Sequence, residues 1–146
     1  MSRKAETQFY SGVNTELLKL QTGVYYEKMY NPLRGGTPDM YYEHRRMLWV
    51  EYKYAALPLR DTSTVSFETS DLQLEWLKRN RDHGHEPWVI VGTHDGRTPM
   101  GVILTEPREW RSGMKCGLFR SKMQTRKELA QAISDWVHRE AKPKKH

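Results

Sequence analysis

Apolar residues recur at Phe9, Val13, Leu17 and Leu20, the spacing of one helical face, and predict a helix over residues 5–21 despite Gly12. Val24 to Tyr30 is aromatic and predicts a strand, and the Gly- and Pro-bearing stretch 31–38 predicts a loop. Asp39 to Glu43 and Met47 to Ala55 read as two strands, with His44-Arg45-Arg46 as the tight connection of a hairpin. Leu57 to Glu68 has no clear period and reads as a loop or flap. Ser70 followed by Gln73 has the spacing of a capping box and opens a helix over 70–82, with Leu72, Trp76 and Leu77 as its apolar face and Gly84 as its stop. Trp88 to Gly92 predicts a short buried strand, Thr93 to Pro99 a turn, and Met100 to Leu104 a further strand. Residues 105–123 read as irregular. A second capping box, Thr125 with Glu128, starts a last helix whose core face is Leu129, Ile133, Trp136 and Val137, and residues 142–146 predict a frayed tail.

This order of elements implies one α/β domain with a central mixed sheet flanked by helices. The hairpin is antiparallel, and the helix at 70–82 offers a right-handed crossover to a strand returning parallel. A chain of 146 residues suffices for one core without a disulfide or metal staple. The single cysteine, Cys116, has no internal partner, which points to a reducing, cytoplasmic compartment. There is no apolar run of transmembrane length, and the polar start Met1 to Glu6 lacks the pattern of a signal peptide. Mean hydropathy is low at −0.85. Five Trp, eight Tyr and three Phe nevertheless argue against disorder.

Charge changes the picture through its position. The net formal charge is +6 and the isoelectric point is near 9.5, which points to a polyanionic partner. Residues 1–107 hold 13 basic and 14 acidic side chains, a net of −1, whereas residues 108–146 hold 11 and 4, a net of +7. The chain therefore divides into a nearly neutral core, 1–107, and a basic C-terminal extension with a helix, 108–146, within one compact domain. Function in the first part must rest on particular side chains.

The hairpin supplies them. A turn centred on Arg45 makes paired residues sum to 90, so Asp39 faces Glu51 with Cβ atoms about 5 Å apart. A half-step shift leaves them near neighbours. Strand alternation puts Glu51 and Lys53 on one face, and Leu48, Val50 and Tyr52 on the other. Two facing carboxylates repel, and a divalent cation relieves the repulsion; hard oxygen donors suit Mg²⁺, with Mn²⁺ as a substitute. The backbone carbonyl of Tyr52 lies between the side chains as a further ligand. Lys53 is placed to hold an attacking water or a pentacovalent oxygen. These are the parts of metal-dependent phosphodiester hydrolysis. Glu-x-Lys alone reads more often as ordinary surface charge. The added Pro38-Asp39, the Gly-rich approach and the hairpin register favour a site.

Gly36-Thr37-Pro38-Asp39, then Glu51-Tyr52-Lys53, then the helix Ser70-Asp71-Leu72-Gln73, followed by Gly84 and Val89-Ile90-Val91-Gly92, resembles the PD-(D/E)xK nuclease superfamily. Within it, the pattern is most similar to virus-type replication-repair nucleases and archaeal-type Holliday-junction resolvases, over roughly residues 9–104. The resemblance implies a restriction-endonuclease-like core, Mg²⁺-dependent cleavage of DNA with structure-selective cutting of branched DNA or nicking, and a phage protein acting in the host cytoplasm. It makes Asp39 and Glu51 metal ligands, Lys53 the catalytic lysine, and Gln73 a contact to water or to the scissile phosphate, a role compatible with capping. Glu16 is the best match to the family's helical metal-serving glutamate, with Glu6 second. Lys28 is placed to reach phosphate from the preceding strand. Resolution of a four-way junction would need paired sites and hence a homodimer.

Other chemistry is weaker. His83, His85 and His94 lack the Cys pairs or His-Glu-x-x-His spacing of a zinc site. The turn at Gly92 to Gly96 lacks the phosphate-loop pattern, and Cys116 has no evident catalytic partner. Trp110 and Phe119, interleaved with Arg108, Arg111, Lys115, Arg120 and Lys122, read either as a surface that stacks bases and holds phosphates or as core aromatics under a basic loop. The alternative to an enzyme is a non-catalytic nucleic-acid-binding module on the same scaffold. Retention of Asp39, Glu51 and Lys53 together favours the enzyme.

Overall fold

The computed structural model describes residues 2–30 and 35–140. Part of the expected loop at 31–38, and the expected tail at 142–146, lie outside the described residues. The chain runs α1 (Ser2–Leu20), β1 (Tyr25–Lys28), β2 (Met40–Glu43), β3 (Met47–Tyr54), β4 (Thr64–Val65), α2 (Asp71–Asp82), β5 (Trp88–Asp95), β6 (Thr98–Leu104), α3 (Pro107–Ser112), β7 (Met114–Lys115), α4 (Cys116–Lys122), β8 (Gln124–Thr125) and α5 (Arg126–His138). Six strands form the central sheet in the order β1-β2-β3-β5-β6-β8, and β4 pairs with β7 in a separate ribbon. The hairpin register is the expected one: Met40 pairs with Val50 and Glu43 with Met47, so partners sum to 90. β3 and β5 run parallel, joined through α2, while the other ladders are antiparallel.

Alternation in β3 sends its side chains into two layers. Leu48, Val50 and Tyr52 are buried with Phe9, Val13 and Leu17 of α1 and Leu129, Ile133 and Val137 of α5. Helix α1 approaches the sheet closely because Gly92 and Gly101, paired across β5 and β6, leave room for the Phe9 ring; a Cβ on either would stand 2.6 or 2.7 Å from it. Beneath α1, the Tyr42 hydroxyl donates to Asn14 Oδ1 at 2.7 Å and lies 2.7 Å from the Tyr52 hydroxyl, so these buried polar groups are satisfied. The opposite face packs Val89, Val91 and Val102 against Leu74 and Leu77 of α2, Trp110 of α3 and Phe119 of α4.

Four expectations change. The apolar face of α2 is Leu74 and Leu77, with the expected Trp76 half-buried against the same core and Leu74 taking the place of Leu72. Leu72 is 55% exposed and lies over Gly35 and Gly36, while Trp76 packs edge-on against Trp49 with ring centroids 5.1 Å apart. β5 and β6 extend into the expected turn, through the pair Asp95 and Thr98. Backbone pairing continues there without apolar side chains, and the turn shortens to Gly96-Arg97. The stretch 105–123 is two short helices and a strand rather than irregular. Within it Trp110 and Phe119 are buried, and the Trp110 indole N–H donates to the Leu104 carbonyl at 3.0 Å. These rings are core, which removes them as base-stacking surfaces.

Candidate functional site

Four elements converge at one end of the sheet. β2 begins where β3 ends, because the two are antiparallel, so Asp39 stands just before β2 beside the end of β3. Helix α2 begins at that same end, after the crossover from β3, and its first turn carries Gln73. Ser70 caps it: the Ser70 hydroxyl accepts from the Gln73 N–H at 3.1 Å, and Gln73 Oε1 accepts from the Ser70 N–H at 3.0 Å. Gly36 sets the approach of the chain to Asp39. Its φ is +96°, and a Cβ there would lie 2.5 Å from the Leu72 carbonyl oxygen, so the backbone packs directly on the first turn of α2.

Within this frame Glu51, Lys53 and Gln73 form one network. Gln73 Nε2 donates to Glu51 Oε2 at 2.8 Å. Lys53 Nζ donates to Gln73 Oε1 at 2.8 Å and lies 3.3 Å from Glu51 Oε2. Asp39 joins from the neighbouring strand: its Oδ2 accepts the Tyr52 N–H at 2.9 Å, and its Oδ1 lies 3.4 Å from Lys28 Nζ. The Tyr52 N–H thus ties Asp39 to the strand that carries Glu51. Lys28 also spans the Tyr10 ring, 5.4 Å from its centroid.

Glu51 is 3% exposed, and its Oε1 is buried without a hydrogen-bond partner. Burial pushes its carboxyl up to about 8; Asp39 and, more weakly, Glu6 add to the rise, while Lys53 opposes it by charge and hydrogen bonding. Among the described residues, no group of three or more His, Cys, Asp or Glu side chains is set to hold a metal ion. Asp39 and Glu51 are the carboxylates that the hairpin register sets side by side. A divalent cation fits this pair on one particular ground: it would give the orphaned Glu51 oxygen a partner and neutralise the repulsion that raises its pKa.

The structure brings together Asp39, Glu51, Lys53, Gln73, Lys28 and the Tyr52 peptide. Glu16 is engaged elsewhere, in an ion pair with Lys19 at 3.3 Å. Of the two α1 glutamates, Glu6 is the one whose charge acts on Glu51. Helical spacing on α1 ranks neither; only the docking angle of the helix on the sheet does.

The basic residues separate. Arg111 lines a groove of about 600 Å³ with Phe67, Thr69, Ser70 and Gln73 and pairs with Asp71 at 3.6 Å. Arg108 and Lys115 share a smaller hollow, about 200 Å³, with Leu118, and Lys115 Nζ also donates to the Thr62 carbonyl at 3.1 Å. Arg120 is held between Asp61, at 3.7 Å, and Asp95, at 3.3 Å. Lys122 is exposed at the end of α4.

Among solved structures, the fold is similar to that of Hjc from Archaeoglobus fulgidus, a Holliday junction resolvase from an archaeal hyperthermophile. The TM-score is 0.51 at 18% sequence identity, over 85% of this chain and 98% of that one. No protein-family profile matches the sequence, and no curated protein matches it. The likeness is one of fold: a restriction-endonuclease-like mixed sheet with flanking helices.

Proposed function

We propose that the chain is a divalent-metal-dependent DNA endonuclease that hydrolyses phosphodiester bonds and selects branched or nicked DNA. The observation that carries this reading is the Glu51–Gln73–Lys53 network beside Asp39, with a buried, unpartnered carboxylate oxygen at its centre. A structure with no chemical use for Glu51 would gain by replacing it with an apolar residue, since a buried carboxylate is costly. The shared fold with a Holliday junction resolvase supports selection of branched DNA. Motif order supports kinship with the virus-type nucleases, and hence a role in phage DNA metabolism in the host cytoplasm.

In this reading Asp39 and Glu51, with the Tyr52 carbonyl, would hold Mg²⁺. The ion supplies positive charge against the phosphate and lowers the barrier to deprotonating water. Lys53 places its ammonium where negative charge develops on the phosphoryl oxygens. Gln73 fixes the orientation of Glu51 and Lys53 and presents a neutral polar edge to the phosphate or to water. Lys28 balances Asp39 at the rim. Arg111, which lines a groove with Gln73, receives a neighbouring phosphate, and Arg108 and Lys115 hold phosphate at their own hollow. Resolution of a four-way junction requires a second copy of this site, so the acting form on that substrate is a homodimer.

The test is a panel of end-labelled four-way junction, nicked duplex, continuous duplex and single-stranded DNA, with Mg²⁺, Mn²⁺ or EDTA, beside Lys53→Ala. Metal-dependent cuts in branched DNA that vanish in the variant support the reading. Salt-sensitive binding without cleavage in either metal would make the chain a binding module instead.

A further inference from the structure

The strand that carries Glu51 and Lys53 leaves the sheet at Tyr54, and the chain passes through 55–69 before re-entering the site at Ser70. Both ends of this segment are therefore at the active end of the sheet. It is closely tethered. At its root the Ala55 N–H donates to the Gly92 carbonyl at 2.9 Å, and within it the Ser63 N–H donates to the Arg60 carbonyl at 3.1 Å. The first amides of α4 hold it from the other side: Cys116 N–H donates to Ser63 O at 2.7 Å and Gly117 N–H to Asp61 O at 3.0 Å. The Cys116 thiol lies 3.6 Å from the Pro58 carbonyl, and Arg120 braces Asp61.

On this fixed backbone Leu59 is 101% exposed, more than any other large hydrophobic residue among those described. Pro58 before it restricts the backbone, and Arg60 after it is an exposed cation. A lone surface leucine ordinarily needs no explanation. Here the tethering fixes an apolar side chain fully in water on the segment that joins Lys53 to Gln73, with a positive charge beside it. Apolar wedges of this kind enter base steps that have come apart, and a preformed loop does so without an ordering cost.

We infer that Leu59 is a specificity residue: it inserts into an unstacked base step of branched DNA while Arg60 holds an adjacent phosphate. This rests on the nuclease reading and names the feature of the substrate that the site selects, a break in stacking rather than a base sequence. Continuous duplex has no open step for the leucine, and a stacked step must first be pulled apart at a cost in free energy.

The experiment uses a four-way junction with 2-aminopurine at the branch point and a matched continuous duplex, with wild-type protein, Leu59→Ala, Leu59→Met, and Leu18→Ala as an exposed leucine on α1. Binding is followed by fluorescence in EDTA, cleavage in Mg²⁺, and folding by thermal melting. Wild type, Leu59→Met and Leu18→Ala are expected to raise the fluorescence of the junction. Leu59→Ala is expected to leave it unchanged, to melt as wild type does, and to lose about tenfold of the preference for junction over duplex. A Leu59→Ala protein that keeps the fluorescence rise and the preference overturns the inference and leaves the nuclease reading intact. A wild type that cleaves junction and duplex equally also overturns it. A Leu59-dependent fluorescence rise without cleavage in Mg²⁺ or Mn²⁺ would uphold the wedge and remove the nuclease.

Discussion

Gln73 donates to Glu51 Oε2 at 2.8 Å through the same side chain whose Oε1 closes the cap of α2 on Ser70. The helix start and the acidic site are thus one hydrogen-bonded unit, with Lys53 as its third member. Two substitutions separate the functions. Ser70→Ala removes the hydroxyl cap but leaves the Ser70 N–H to Gln73, so it should cost about 1 kcal/mol of stability with cleavage within about twofold of wild type. Gln73→Ala keeps the hydroxyl cap but loses the partner of the Ser70 N–H and the tie to Glu51 and Lys53, and cleavage should fall about 10- to 100-fold. Thermal melts paired with single-turnover rates check this, and equal effects of both changes on cleavage would refute it.

Burial of Glu51 sets the sign of a pH dependence in the metal-free protein. Its carboxyl is raised from 4.5 to about 8, first by burial and then by Asp39. The folded state therefore holds a proton that the unfolded state releases, so the Glu51 contribution to stability is full below about 4.5 and is lost as pH rises to about 8. Glu51→Gln should flatten that slope in denaturant titrations run in EDTA. Mg²⁺ must displace the same proton, so its affinity should rise with pH over this window in calorimetric titrations. A wild type and a Glu51→Gln variant with the same slope would contradict the assignment.

Gly36→Ala tests how Asp39 is positioned. Its φ of +96° and the 2.5 Å approach to the Leu72 carbonyl leave no room for a methyl group. The variant should lose more than about 1 kcal/mol in urea unfolding. Cleavage should fall further than that loss explains, because Asp39 and the first turn of α2 move apart. Gly84→Ala, where nothing lies within 4 Å of the new Cβ but φ is +92°, supplies a comparison: similar strain, with activity retained.

Arg111 and Arg120 should part company in DNA binding. Arg111 lines the groove beside Gln73, whereas Arg120 is committed to Asp61 and Asp95. Arg111→Ala should weaken binding on every DNA tested and lower the salt slope by about one. Arg120→Ala should leave the slope unchanged. Fluorescence anisotropy over a range of salt concentrations decides between them.

Much of this site is legible in the sequence because local rules set it. The turn at His44-Arg45-Arg46 and strict alternation give the hairpin register, which brings Asp39 to β3 and puts Glu51 and Lys53 on one face. The spacing of Ser70 and Gln73 gives the cap of α2. What escapes the sequence depends on docking. Leu72 and Leu74 fit helical periodicity equally, and the close packing of Gly36 on the first turn of α2 turns one outward. Glu6 and Glu16 are separated only by the way Phe9 seats α1 on two glycines. Helices as short as α3 and α4 carry too few turns for a period, so Trp110 and Phe119 look like surface aromatics amid charge until the fold buries them. Arg120 shows no sign of its brace, since Asp61 and Asp95 are distant in sequence.

The most direct test of a hydrolytic centre at Glu51 is the single-turnover rate of cleavage of a labelled four-way junction in Mg²⁺ by wild type and by Glu51→Gln. The amide keeps the volume and the hydrogen bonding of the carboxyl but not its charge. Metal-dependent cleavage by wild type and a loss of about 10³-fold or more in Glu51→Gln, with folding and DNA binding retained, is the expected result. Cleavage by Glu51→Gln at the wild-type rate would contradict it.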